Sequence, residues 1–180
     1  FYAQSHKDGL VVDVRANGGG FVSQMILERL RRRLMGMSNQ RGERPTTYPA
    51  AAVSGPMVAI ANQYSASDGD LFPYGFKHFG VGTVIGTRSW GGVVGISGSL
   101  PFIDGADLRK PEFASYSSDK SDWIIEGHGV DPDIVLDNDP YREYMGTDDQ
   151  LNKAIEVVLE KVKTEYKPLP AIPQAPDKSK

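Results

Sequence analysis

The sequence predicts an α/β domain with a mostly parallel sheet flanked by helices. Three observations predict it. Short apolar runs rich in β-branched residues recur at Leu10-Val11-Val12-Asp13-Val14, Met57-Val58-Ala59-Ile60-Ala61 and Val81 to Gly86, as in strands buried on both faces. Helix-type signals follow the first two runs. Glycine- or serine-rich breaks separate strand from helix, and strand and helix in alternation build parallel sheets. The chain has 180 residues, 39% hydrophobic and 24% charged, which suits one soluble globular domain and excludes wholesale disorder.

The elements follow in order. After the first run, Asn17-Gly18-Gly19-Gly20 permits positive φ and close backbone approach. Phe21, Val22, Met25, Ile26, Leu30 and Leu34 then recur at helical spacing, predicting an amphipathic helix from Phe21 to about Met35. A polar loop is expected to about Ser54. Met57–Ala61 is the second buried strand. Ser65 to Asp70 carries capping residues and first-turn acids, so a helix is expected over Leu71 to Phe79 with Pro73 in its first turn. Leu100 to Arg109 reads as a hairpin around Asp104-Gly105, Trp123-Ile124-Ile125 as a short strand, and Gly129 to Ile134 as a turn. Thr147-Asp148-Asp149-Gln150 has capping-box form. Leu151, Ala154, Ile155, Val158, Leu159 and Val162 mark a long C-terminal helix. Prolines at 168, 170, 173 and 176 predict an extended tail, which divides the chain into a unit over 1–167 and a tail over 168–180.

Composition removes several function classes. There is no cysteine, hence no disulfide, thiolate metal site or Cys nucleophile. His6, His78 and His128 stand at no metal-ligand spacing, and no calcium-loop pattern occurs. No metal and no cofactor are expected. The uncharged stretch from Thr46 to Ser67 could span a bilayer by length, but its prolines, amides and hydroxyls read as a loop before a strand, so no membrane partner is expected. The net charge is -3, which gives no basic field for nucleic acid. Charge is uneven: six Arg face two Glu from Glu28 to Arg44, and seven acids face one Arg from Asp131 to Asp149. Two solvated surfaces, or complementary subunit contacts, would each account for this. The chain opens Phe-Tyr-Ala-Gln without an initiator Met or a signal segment, which reads as a piece of a longer polypeptide.

Two turns could carry chemistry. Backbone N–H groups of Asn17 to Gly20, opening a helix, can bind an anion or a developing oxyanion; a simple tight turn is the plainer reading. Neither a P-loop nor a dinucleotide fingerprint is present. Around Ser65, Ser67 and Asp68, a serine between strand and helix is placed for nucleophilic attack, with the helix dipole favouring its alkoxide. A serine there is also a common N-cap.

Four blocks in order resolve this. Asn62-Gln63-Tyr64-Ser65-Ala66-Ser67-Asp68-Gly69-Asp70 resembles the nucleophile segment of the tricorn core proteases, relatives of the carboxy-terminal processing serine proteases. Gly86-Thr87-Arg88-Ser89-Trp90-Gly91-Gly92-Val93-Val94-Gly95 resembles the family's next block. Val12-Asp13-Val14-Arg15 with Asn17-Gly18-Gly19-Gly20 resembles its oxyanion segment, and Ile125-Glu126-Gly127-His128-Gly129-Val130-Asp131-Pro132-Asp133 its glutamate-bearing turn. Together they cover about residues 8 to 135.

The resemblance implies a ClpP/crotonase-like core and a serine peptidase subdomain that cleaves oligopeptides or unfolded protein. It implies Ser67 as nucleophile, the N–H of Asp68 and that of Gly19 or Gly20 as oxyanion donors, and Glu126 as the residue that orients other members by hydrogen bonding. Ser65 is expected as a supporting hydroxyl, and Ser65, Arg88 and Trp90 as possible residues lining the site. The processing proteases carry a Lys base between two glycines, and here Gly91-Gly92-Val93-Val94 has none. Lys77 and Lys110 do not fit that block. In the tricorn branch the base is a histidine from an upstream domain, so the isolated chain is expected to be inactive. His128 is preferred as a turn residue over a local base. Peptides, upstream domains of the same polypeptide and a homo-oligomer are the implied partners. The cytoplasm is the expected compartment, with the periplasm or export left open. A non-catalytic peptide-binding or assembly module of the same fold is the alternative, and a crotonase-like acyl-thioester enzyme a third reading by fold analogy alone.

Overall fold

A computed structural model describes residues 1–119, 122–175 and 177. Its centre is a four-stranded parallel sheet in the order β1 (Leu10–Asp13), β4 (Met57–Ala61), β5 (Thr83–Gly86), β8 (Ile134–Val135). β4 lies between β1 and β5, pairing Leu10 with Met57 and Ala61 with Gly86 at the ends of its two registers. Every β4 residue is buried. Alternate side chains serve opposite cores, as strand geometry requires. Met57, Ala59 and Ala61 pack with Leu27, Leu30, Phe72 and Phe76. Val58 and Ile60 pack with Ile85, Ala154, Val157 and Val158. Helices therefore cover both faces, which is why the strand reads as an unbroken apolar run.

One layer holds α1 (Ser23–Leu30) and α2 (Asp68–His78); the other holds α4 (Asp149–Glu165). Two antiparallel pairs stand apart from the main sheet: β2 (Gly36–Ser38) with β3 (Thr46–Tyr48), and β6 (Gly95–Pro101) with β7 (Asp107–Phe113). A short α3 (Pro140–Tyr144) precedes α4. The hairpin around Asp104-Gly105 forms as expected, with strands longer than expected.

Several elements differ from the sequence reading. α1 stops at Leu30 because the chain turns back to pair β2 with β3, inside what reads as a polar loop. Only Leu27 and Leu30 of its apolar positions reach the core, while Phe21, Val22, Met25 and Ile26 are exposed. α2 begins at Asp68, so Pro73 is its sixth residue. Trp123-Ile124-Ile125 forms no strand: Trp123 makes an isolated bridge to Tyr116, and Ile125 turns at φ +43°. Ile134, read as the end of a turn, instead opens the edge strand Ile134–Val135 beside β5. Asp148 caps α4 by accepting the N–H of Leu151, displacing the expected Thr147.

The acid-rich segment is engaged in ion pairs. Asp148 binds Arg15 at 2.7 Å, Asp149 binds Arg142 at 2.6 Å and Asp133 binds Lys77 at 2.9 Å. The Arg15 bridge, shared with Asp13, ties the end of β1 to the start of α4. The guanidinium, aided by the Leu151 N–H and Asn138, pulls the Asp148 carboxyl down to about 2, and the two acids raise the Arg15 pKa. No helix among the described residues is long and apolar enough to cross a membrane.

Candidate active site

Ser67 stands in the elbow between β4 and α2, with φ +57° and ψ -114°. A side chain at positive φ is strained and must be held by its surroundings. Asp70 holds it. This carboxylate has 0% of its surface exposed. Its Oδ2 accepts the N–H of Ser67 at 2.7 Å, and its Oδ1 accepts the N–H of Gly91 at 2.8 Å. The carbonyl of Gly91 in turn accepts the N–H of Gly127 at 2.7 Å. One buried acid thus links the serine turn to the Gly91 strap, and the strap to the turn that carries Glu126.

The glycine turn after β1 docks on the same junction. The carbonyl of Asn17 accepts the N–H of Ala66 at 2.8 Å. Gly69 leaves room for it, since a Cβ there would lie 2.1 Å from that carbonyl oxygen. Gly19 and Gly20 take φ of +130° and +141°, open only to glycine. A Cβ on Gly19 would lie 3.1 Å from Ser67 Cβ and 3.4 Å from Ser67 Oγ, so this turn faces the hydroxyl.

The two glycines differ in one respect. The Gly19 N–H donates to Asn17 Oδ1 at 3.1 Å. The N–H groups of Gly20 and Asp68 have no hydrogen-bond partner among the described residues. That of Asp68 is a first-turn donor of α2, which no carbonyl of the helix can reach. The Asp68 side chain turns the other way. Buried, it accepts the N–H groups of Val22 and Ser23 at 3.0 and 2.9 Å, and the hydroxyl of Ser23 as well. It caps α1, whose positive end favours a carboxylate.

Glu126 accepts the N–H groups of Val93 and Val94 through Oε2, at 2.7 and 2.8 Å. It holds the Val93–Val94 segment of the cleft to the Glu126 turn. Ser67, Asp68, Gly19, Gly20, Trp90 and Glu126 all line one open cleft of about 760 Å³. Its further walls are Phe21 of the α1 approach and the β6–β7 hairpin, through Ile96, Arg109 and Phe113. Among the described residues that line it there is no histidine and no lysine.

Two expected lining residues lie elsewhere. Ser65 is fully buried; its hydroxyl donates to the Val14 carbonyl at 2.9 Å and accepts the Asn62 N–H at 3.1 Å, bracing β1 against the elbow. Arg88 is exposed outside the cleft, 3.5 Å from His128 Nδ1. His128 is outside it too, with Nε2 2.7 Å from Asp131 Oδ2. That bond holds the Asp131 carboxyl below its ordinary range. The sequence reading missed the tether role of Asp70, although its spacing from Ser67 is that of a capping acid. It also missed the hairpin wall, whose only trace is the alternation of Arg109, Pro111 and Phe113.

A serine at positive φ at a helix start shares one cleft with backbone N–H groups that have no partner among the described residues, the kinds of group a serine nucleophile and its oxyanion would use. Comparison with known proteins makes the class specific. Residues 2–136 match the model of peptidase family S41, and the chain belongs to that family of serine peptidases. Within it the chain is tricorn-like. It is 48% identical over 159 residues to the tricorn protease of Thermoplasma volcanium, covering 88% of this chain and 15% of that protein. It is 43% identical over 173 residues to the tricorn protease of Thermoplasma acidophilum, covering 96% and 16%. A crystal structure of the tricorn protease superposes with a TM-score of 0.86 at 44% identity, over 91% of this chain and 16% of that one. The chain therefore spans a small part of the relatives it matches.

Proposed function

We propose that this chain is the nucleophile-bearing part of a serine peptidase that hydrolyses peptide bonds of oligopeptides or unfolded protein. Ser67 Oγ attacks the peptide carbonyl while a base takes its proton. The tetrahedral oxyanion is received by the N–H groups of Asp68 and Gly20. Gly20 is preferred to Gly19 because the Gly19 N–H is already given to Asn17. The base then returns the proton to the leaving amine, and water hydrolyses the acyl-enzyme by the same route in reverse. Each oxyanion donor is worth about 10²–10³ in rate.

The base in this proposal is supplied by an upstream domain of the same polypeptide, a reading supported by a cleft whose described lining residues include neither histidine nor lysine. Glu126 spends Oε2 on the Val93 and Val94 N–H groups, and its other oxygen is the acceptor that would orient the incoming group. The exposed apolar residues Phe21, Val22, Met25 and Ile26 of the α1 face support burial in a larger assembly, here a homo-oligomer working in the cytoplasm.

The observation that carries this reading is Ser67 at positive φ in one cleft with the Gly20 and Asp68 N–H groups, which have no partner among the described residues. In the complete polypeptide, Ser67→Ala should abolish peptide hydrolysis and labelling by a fluorophosphonate. Unchanged hydrolysis would sink the assignment. The 180-residue chain alone should turn over peptides poorly, and robust Ser67-dependent turnover by it would place the base within it. A cleft whose described lining residues include no histidine or lysine favours one second reading, a peptide-binding module without catalysis. Peptide binding with no Ser67 labelling in the complete polypeptide would select it.

A further inference from the structure

The hairpin wall of the cleft carries a charge that the peptidase reading does not use. Alternate residues of a strand share a face, and Arg109, Pro111 and Phe113 of β7 all line the cleft. The intervening Lys110 and Glu112 neutralise each other at 2.7 Å. The Arg109 side chain has no hydrogen bond or ion pair with any described residue and is the one cationic side chain among those described in the cleft lining. The two acids of that lining are already engaged: Asp68 caps α1, and Glu126 accepts two backbone N–H groups. Further along the same face the wall is apolar, through Pro111, Ile96 and Phe113. A guanidinium offers a planar fork that matches a carboxylate in two parallel hydrogen bonds.

We propose that Arg109 is a specificity-determining residue that receives a carboxylate of the bound peptide, so that the cleft selects peptides with an acidic side chain or a free C-terminus over neutral ones. This rests on the reading of the cleft as a peptide site, and it does not require Ser67 to turn over.

The test is binding, by fluorescence anisotropy, to the full chain carrying Ser67→Ala. Three labelled peptides of one apolar sequence serve as probes: an internal Glu with an amidated end, an internal Gln with an amidated end, and an internal Gln with a free carboxylate end. At least one carboxylate peptide should bind about five-fold more tightly than the neutral one. The Glu arm and the free-end arm tell the two carboxylate sources apart. The advantage should disappear in Arg109→Gln, persist in part in Arg109→Lys, and shrink at roughly 0.5 M salt. Equal binding of all three peptides, or an advantage that survives Arg109→Gln, overturns the proposal and leaves the peptide cleft standing. Binding of none of them overturns both.

Discussion

Asp70→Asn is the perturbation on which the geometry speaks most directly. The native carboxylate is fully buried and accepts two backbone N–H groups at 2.7 and 2.8 Å. The amide keeps the size and one acceptor oxygen, but its NH₂ meets the other N–H donor with a donor. Losing a hydrogen bond to a charged group costs about 1.5–3 kcal/mol, and stranding a buried N–H adds about 1–3 kcal/mol. The neutral amide is cheaper to bury, which offsets part of this. A net loss of about 2–3 kcal/mol is expected, a sizeable share of a typical domain's stability of about 5–15 kcal/mol. Urea unfolding measures it through the midpoint at constant slope. The same variant should slow Ser67 labelling in the complete polypeptide, because Ser67 at φ +57° relaxes once its N–H is released. A midpoint change worth less than about 0.5 kcal/mol, with labelling unchanged, would show that Asp70 does not hold the elbow.

Other expectations follow from the same geometry. Gly19→Ala places a methyl 3.1 Å from Ser67 Cβ at φ +130°. It should cost about 1 kcal/mol or more in stability and suppress phosphonate labelling at least ten-fold; labelling at the native rate would mean the turn does not face the hydroxyl. The Arg15–Asp148 bridge predicts an acid effect of definite sign. The Asp148 carboxyl sits at about 2 when folded, below its unfolded value, so its contribution is present at neutral pH and fades as pH falls from about 5 to about 2. With the side chain 30% exposed, solvent reduces the worth of the shift to about 1 kcal/mol. Asp148→Asn keeps a helix cap, so it should be less stable than the native chain by that amount at pH 7, with the gap closing toward pH 2. A gap independent of pH would refute the linkage.

Much of the fold is legible in contiguous residues. The run from Met57 to Ala61 announces a strand buried on both faces, because a central parallel strand has no solvent side to mark with polar residues. Helical spacing from Leu151 onward announces α4, and the order of the four sequence blocks places the serine turn, the glycine turn and the glutamate turn in one family. Three-residue strands such as β2 and β3 leave no periodicity to read, and the α1 boundary is set by the fold-back of the chain.

The site divides along the same line. The sequence alone narrows the turns that could carry it: a serine between strand and helix, and a glycine-rich turn that opens a helix. It cannot decide between Gly19 and Gly20, because the difference is a hydrogen bond from one of them to the Asn17 side chain. Nor does it show that Asp68 caps α1 from 45 positions away, or that Asp70 reaches Gly91 across 21. Those partners meet because parallel pairing sets β1 beside β4 and α1 beside α2. Local propensity is written in neighbouring residues, whereas the satisfaction of a buried carboxylate depends on which backbone donors the sheet brings to it.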